Sequence, residues 1–263
     1  MPAKGGYNGI DYVSLQWLAD HRRIRVRLGG TPPGMKAMLL AAGRGERMGE
    51  LSTAAPKPLL RPNDEALIER QIRLLREAGI TDLVVNLSYR GALIRELLGD
   101  GTRYGVAIRY SEEGEPPLET AGGIVKALPL LGPQPFLVVN ADIVTDFDYR
   151  SLARRAGEHA ASATGLLGTL VLVPNPAHHP GGDYGIDASG LASVHATHLT
   201  FAGISLLHPE LFANTAAGRA PLRPLLDAAI AARRLAAVRH DGLWIDVGTP
   251  ARFAAARRAL LAC

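Results

Sequence analysis

Leu39-Leu40-Ala41-Ala42-Gly43-Arg44-Gly45-Glu46-Arg47-Met48, followed shortly by Pro56-Lys57-Pro58-Leu59, is the stretch that decides the fold. Met38 to Leu40 read as the end of a buried strand, which breaks into a turn of small residues. Gly43 and Gly45 lack a Cβ, so the backbone can bend sharply there and come close to a ligand. Successive N–H groups in such a turn form a concavity for anions, to which Arg47 adds a permanent forked cation. Lys57 adds a compact charge on a loop that Pro56 and Pro58 stiffen. Lysine is scarce in the chain, occurring only as Lys4, Lys36, Lys57 and Lys126, so its place between two prolines stands out. The layout is that of a triphosphate site. A P-loop would need Lys-Ser/Thr directly after its last glycine, and a dinucleotide fingerprint would need glycine where Met48 stands.

Outward from this turn the chain alternates strand and helix signals. Leu67, Ile68, Ile72, Leu75 and Ala78 recur at helical spacing and stop at Gly79. Leu83–Leu87 is a buried strand, Ala92–Leu98 a helix ending at Gly99, Val106–Tyr110 a strand, Gly122–Leu128 a short helix and Phe136–Asn140 a further buried strand. Repeated units of this kind predict an α/β fold, a Rossmann-like, mostly parallel mixed sheet with helices on both faces. The second half is mixed, with strand-like segments at 166–173, 191–195 and 201–207 and a closing helix over 251–261.

Residues 1–34 do not fit this pattern. They carry an alternating Arg23-Ile24-Arg25-Val26-Arg27-Leu28 and end on Gly29-Gly30-Thr31-Pro32-Pro33-Gly34. We expect an N-terminal extension, mobile or loosely docked, before a single catalytic domain spanning 35–263. The 263 residues, with 47% apolar content, are enough for one large α/β core. A net charge of +4 suits an anionic ligand, but the arginines are scattered and aromatics make up only 5%, which argues against nucleic acid. The sole cysteine, Cys263, leaves no intrachain disulfide or thiolate metal site. With neither a membrane-length apolar run nor a secretory core, a soluble cytoplasmic protein is expected.

Phe136–Val139 delivers Asn140-Ala141-Asp142 to the carboxyl end of a strand, where open α/β sheets bind ligands. Trp244-Ile245-Asp246-Val247-Gly248-Thr249-Pro250 places a second carboxylate after another apolar segment. Two carboxylates with phosphate oxygens and waters suit Mg2+. His178-His179 invite a zinc reading, but adjacent side chains rarely aim at one metal, and Pro176 and Pro180 bracket them in a loop.

Residues 35–59 resemble the signature of the sugar-1-phosphate nucleotidyltransferases, approximately L-A-A-G-x-G-x-R-M/L followed by P-K-P/A-L, and the resemblance extends to about residue 260. It implies Arg47 and Lys57 as catalytic cations, Asp142 and Asp246 as Mg2+ ligands, and Leu40, Ala41, Ala42, Gly43 and Gly45 around the nucleotide. Glu112–Gly123 should face base and ribose, with Glu119, Thr120 and Gly122 as contacts. Asn140, Gly182-Asp183-Tyr184-Gly185 and Thr200-Phe201-Ala202-Gly203 resemble sugar-facing segments, which marks Asn140, Asp183 and Gly203.

Leu118-Glu119-Thr120 is similar to the L-E-T-G-G-G of the N-acetylmuramate 1-phosphate uridylyltransferases of peptidoglycan recycling, which implies UTP and that sugar phosphate. Ala121-Gly122 leans towards the L-G-T-A-G pattern of mannose-1-phosphate guanylyltransferases, the alternative reading, with GTP. A non-catalytic nucleotide-sugar-binding subunit would be expected to lose the arginine, lysine or carboxylates, and all four are present. Two departures from the family pattern are Asn63-Asp64-Glu65-Ala66 in place of G-x-P and the additional Pro117.

The implied chemistry needs no general base. The second ionisation of a phosphomonoester lies near pKa ~6, so the sugar phosphate oxygen is already anionic at pH 7. The obstacle is repulsion between two polyanions, so alignment and charge neutralisation must carry catalysis. The expected step is in-line attack of that oxygen on the α-phosphorus, with pyrophosphate leaving.

Overall fold

The computed structural model describes residues 34–43, 45–49, 55–160 and 165–262. The expected N-terminal extension lies outside these residues except for Gly34, as do Arg44 and Cys263.

The first apolar run forms β1 (Lys36–Leu40). The chain then winds through helical turns at Glu46–Met48 and Lys57–Leu59 into helix α1 (Leu67–Glu77). Next come β2 (Asp82–Leu87), α2 (Gly91–Leu98), β3 (Ala107–Glu112), α3 (Glu119–Leu131) and β4 (Phe136–Asn140). The second half adds β5 (Ile143–Thr145), α4 (Tyr149–Ala160), β6 (Gly168–Val173), β7 (Gly185–Ile186), β8 (Ala192–Ser193) and β9 (Thr200–Leu207). It closes with α5 (Arg223–Ala231), β10 (Leu235–Arg239), β11 (Trp244–Asp246) and α6 (Pro250–Leu261).

Seven strands form one sheet in the order β10-β6-β9-β4-β1-β2-β3, parallel except that β9 runs against both β4 and β6. The chain leaves β1 towards β2 and β3 and then crosses back to β4 on the other side of β1. That reversal makes a topological switch point, and it falls where β1 ends in the glycine turn and β4 ends in Asn140. Strand alternation divides the sheet into two apolar faces. Ala37, Leu39, Leu83, Val85, Leu137 and Val139 pack with α1, α2 and α4, whereas Met38, Val84, Val138 and Leu207 pack with α3 and α5. Helices therefore cover both faces, as the sequence predicts.

A smaller cluster of Met48, Leu60, Leu67, Val144, Val247 and Ala256 ties α6 to a two-stranded ribbon of β5 and β11. Fully buried Gln71 holds this ribbon, donating to the Ile143 carbonyl at 2.8 Å and accepting from the Tyr149 hydroxyl at 2.6 Å. No helix among the described residues is long and apolar enough to cross a membrane.

The differences from expectation have local causes. Helix α3 begins at Glu119, ahead of the expected Gly122, because the Glu113 carboxylate, five residues earlier, accepts the Leu118 N–H at 2.8 Å and anchors the entry to the helix. The expected strand over 191–195 shrinks to Ala192–Ser193, paired only with Gly185–Ile186. Helices α4 and α5 and strands β5 and β10 lie in stretches where the sequence reading assigns no element.

Candidate active site

The switch point opens into a cavity of about 480 Å3, whose walls come from every predicted nucleotide segment. Leu40, Ala41, Ala42 and Gly43 line it from the end of β1, Lys57 from its helical turn, Glu119 and Thr120 from the start of α3, and Asn140 and Asp142 from the end of β4. A second cavity, of about 490 Å3, shares Leu40, Glu119, Thr120 and Asn140 with the first and continues over β9 towards α5. Asp183 and Gly203, predicted to face a sugar, line this second space.

Lys57 and Asp142 come together across the first cavity, with Nζ 2.6 Å from Oδ2. The lysine stem runs along the glycine turn: a Cβ at Gly45 would lie 3.5 Å from Lys57 Cε, in ordinary contact, and it is the φ of +68° that favours glycine there. The expected second carboxylate is a backbone neighbour of the first: Val247 N–H donates to the Asp142 carbonyl at 2.9 Å, and Asp246 pairs with Ile143 across the ribbon. The Asp246 side chain does not line the cavity. Arg252 Nη2 holds its Oδ2 at 3.0 Å and His178 Nε2 lies 3.1 Å from its Oδ1. His179 instead meets Asp183 at 3.3 Å, so the adjacent histidines address two different carboxylates.

Arg47 is exposed on the Glu46–Met48 turn and is not among the residues lining either cavity. Gly122 also stands back from the cavities. Its N–H donates to the Ala220 carbonyl at 3.1 Å, and a Cβ there would lie 2.2 Å from the Gly218 carbonyl oxygen. The glycine thus admits the 218–220 loop and brings Arg219 to the wall of the first cavity, where it pairs with Glu119 at 2.6 Å.

Among the lining residues Asn86 and Arg219 escaped the sequence reading, whereas Glu113 belongs to the expected base-facing segment. Asn86 accepts the Ala41 N–H at 2.7 Å and donates to Glu113 Oε1 at 2.6 Å, while Glu113 Oε2 takes the Leu118 N–H. This chain of bonds locks the glycine turn, the end of β2 and the base-facing loop into one frame. The signal was a polar residue at the carboxyl end of an otherwise apolar strand, next to β1.

In the second cavity Asn140 packs directly against Gly203, where a Cβ would lie 2.3 Å from Asn140 Nδ2. Asp183 accepts the Phe201 N–H at 2.9 Å and lies 3.3 Å from Arg223 Nη1. Burial, and then its hydrogen bond to Asp227, push the Tyr184 hydroxyl well above the usual tyrosine range. It therefore acts as a neutral donor that fixes Asp227.

Comparison with known proteins identifies the family. The family model described as nucleotidyl transferase matches residues 36–186. An N-acetylmuramate alpha-1-phosphate uridylyltransferase from Neisseria meningitidis is 45% identical, over 83% of this chain and 95% of its own length. A mannose-1-phosphate guanyltransferase from Hypocrea jecorina is 30% identical over 83% of this chain, but over only 62% of its own length. A solved structure of UDP-glucose pyrophosphorylase complexed with UDP-glucose shares the fold, with a TM-score of 0.68 at 17% identity, covering 87% of this chain and 98% of that one. The chain belongs to the nucleotidyl transferase family and is a sugar-1-phosphate nucleotidyltransferase.

Proposed function

We propose that this protein transfers a uridylyl group from UTP to N-acetylmuramate 1-phosphate, releasing pyrophosphate, with Mg2+ as cofactor and the cytoplasm as its location. The observation that carries the reading is the Lys57–Asp142 pair in the first cavity, which shares Leu40, Glu119, Thr120 and Asn140 with the second. A nucleotide in the first cavity and a sugar phosphate in the second would bring α-phosphorus and attacking oxygen together there. The choice of uridylyl transfer and of N-acetylmuramate is supported by the Neisseria meningitidis relative, which matches over nearly its whole length.

Asp142 and Asp246 would hold a hard divalent ion. Asp142 and Asp246 are joined through the Val247–Asp142 backbone bond, and both carboxylates are held by side-chain cations, Lys57 on one and Arg252 on the other. Two such carboxylates, completed by phosphate oxygens, match what Mg2+ requires. When bound, Mg2+ would neutralise phosphate charge. The N–H groups of the glycine turn would hold phosphate oxygens, and Lys57 would shift from Asp142 to the α-phosphate as charge builds there. Arg47 would reach the departing β,γ-phosphates from the rim. Glu119, Thr120 and Gly122 would present or support base and ribose, while Asn140, Asp183 and Gly203 would shape the sugar site.

A pyrophosphate-release assay with UTP and GTP, each against N-acetylmuramate, N-acetylglucosamine, glucose and mannose 1-phosphates, tests the reading. Preference for UTP with N-acetylmuramate 1-phosphate is expected. Preference for GTP with mannose 1-phosphate would install the alternative, which Ala121-Gly122 and the Hypocrea jecorina relative favour.

A further inference from the structure

One side chain of the second cavity has no role in the reading so far. Ser205 sits in the middle of β9, is 1% exposed, and its hydroxyl has no hydrogen-bond partner among the described residues. Strand alternation turns Ala202, Ile204 and Leu206 towards one core, and Phe201, Gly203 and Ser205 to the opposite side, where the cavity lies. A buried hydroxyl without a partner is costly, and in native proteins it marks a place where something else completes the bond.

The surroundings narrow the choice of that partner. Ser205 pairs with Val138 across the sheet, and the cavity it lines takes its apolar wall from Val138, Phe201, Leu222 and Leu226. The charged residues of the same cavity, Glu119, Asp183 and Arg223, are all more exposed than Ser205. A charged substituent at the floor would be stripped of water without a counter-ion, so carboxylate and phosphate belong elsewhere in the site. A bare hydroxyl would satisfy the serine but leave the apolar wall empty. A small neutral amide with a methyl group satisfies both.

We infer that Ser205 reads the 2-acetamido group of the sugar 1-phosphate, its hydroxyl bonding the amide while Phe201 and Leu222 cover the methyl. The inference rests on the proposed sugar-phosphate reading and extends it to a specificity-determining residue. It separates N-acylated sugars from those, such as glucose and mannose, that carry only a hydroxyl at that carbon. A site built around a hydrogen bond to one substituent discriminates against analogues lacking it far more strongly than apolar contact alone.

The test measures kcat and KM for wild type and for Ser205→Ala, Ser205→Thr and Ser205→Val. The substrates are glucose, N-acetylglucosamine and N-acetylmuramate 1-phosphates with UTP. Ser205→Ala should lower kcat/KM for both acetamido sugars by about tenfold, mainly through KM, and leave glucose 1-phosphate and the KM of UTP unchanged. Because the hydroxyl has no protein partner to lose, the melting temperature should hold or rise. Threonine and valine match in volume, so threonine should retain selectivity that valine lacks. An equal loss on all three sugars, a fall in melting temperature, or unchanged acetamido kinetics would overturn the inference. Wild type preferring N-acetylglucosamine 1-phosphate would remove the N-acetylmuramate reading and leave Ser205 in its role. Wild type preferring glucose 1-phosphate would remove both.

Discussion

Lys57 Nζ lies 2.6 Å from Asp142 Oδ2, so the cation and the carboxylate proposed to handle the triphosphate neutralise each other before it arrives. Both side chains are largely shielded, at 14% and 25% exposure, which keeps the pair at the reacting position rather than in solvent. Substrate binding must divide them, the ammonium going to phosphate and the carboxylate to metal. Lys57→Ala should therefore lower kcat by about 10²–10³, the usual cost of removing one transition-state charge contact. Stability should fall by about 1–3 kcal/mol, because the largely shielded Asp142 carboxylate is left without its cation. Circular dichroism together with pyrophosphate release checks both, and near-normal turnover would refute the assignment.

Asp246 is proposed as the partner ligand although its carboxylate is drawn aside by Arg252 and His178. Gly248 permits this approach, since a Cβ there would lie 2.0 Å from Arg252 Nη2. Chelation with EDTA should abolish activity and Mg2+ should restore it. In Asp246→Asn the half-saturating Mg2+ concentration should rise by ~10-fold or more, with the KM of UTP changing less at saturating metal. An unchanged Mg2+ titration would place the second ligand elsewhere.

Gly203 and Gly43 make a contrasting pair. Gly203 has φ +70°, and its missing Cβ would lie 2.3 Å from Asn140 Nδ2, whereas nothing stands within 4 Å of a Cβ at Gly43. Gly203→Ala should destabilise the fold by about 1–3 kcal/mol and raise the KM of the sugar phosphate by displacing Asn140. Gly43→Ala should leave the melting temperature unchanged and raise the KM of UTP, since the methyl projects into the nucleotide cavity. Thermal melts alongside the two KM values separate these outcomes.

These glycines show what was legible in the chain. The turn after β1 and the Asn140-Ala141-Asp142 step after β4 were readable because each is a local event: an apolar strand interrupted by small or polar residues at its carboxyl end. Side-chain reach was not. Gly122 sits in a motif shared with nucleotide-contacting residues, yet it faces the 218–220 loop, because only the tertiary arrangement shows what lies 2.2 Å from its missing Cβ. Asp246 was found from its flanking motif, but its attachment to His178 and Arg252 depends on loops distant in sequence. Helix α5 carries little periodic contrast in Arg223-Pro224-Leu225-Leu226-Asp227, and β10 is a short alanine-rich strand that pairing with β6 stabilises.

The expected division at Met35 predicts that a chain beginning there keeps the enzyme's fold and activity. Purified 35–263 should show kcat and melting temperature within about twofold and ~4 °C of the full chain, the shift that ~1 kcal/mol gives in a domain of this size. Loss of folding or of turnover would make residues 1–34 part of the catalytic unit.

The frame behind the nucleotide cavity ties the glycine turn to the base-facing loop. Glu113 is a buried carboxylate with one oxygen on Asn86 Nδ2 at 2.6 Å and the other on Leu118 N–H at 2.8 Å, and Asn86 in turn fixes the Ala41 N–H. Both Glu113 oxygens act as acceptors, so Glu113→Gln must turn an amide NH2 towards one of two donors. The mismatch should cost about 1–3 kcal/mol and loosen the base-facing loop from the glycine turn. Gly123→Ala attacks the same frame from behind, since its Cβ would stand 2.3 Å from Glu113 Oε1. Both variants should raise the KM of UTP by about tenfold, with smaller effects on the KM of the sugar phosphate and on kcat at saturation. A rise confined to the sugar phosphate would mean that the pair frames the second cavity rather than the first. An unchanged UTP KM in both variants would show that the two loops find their positions without it.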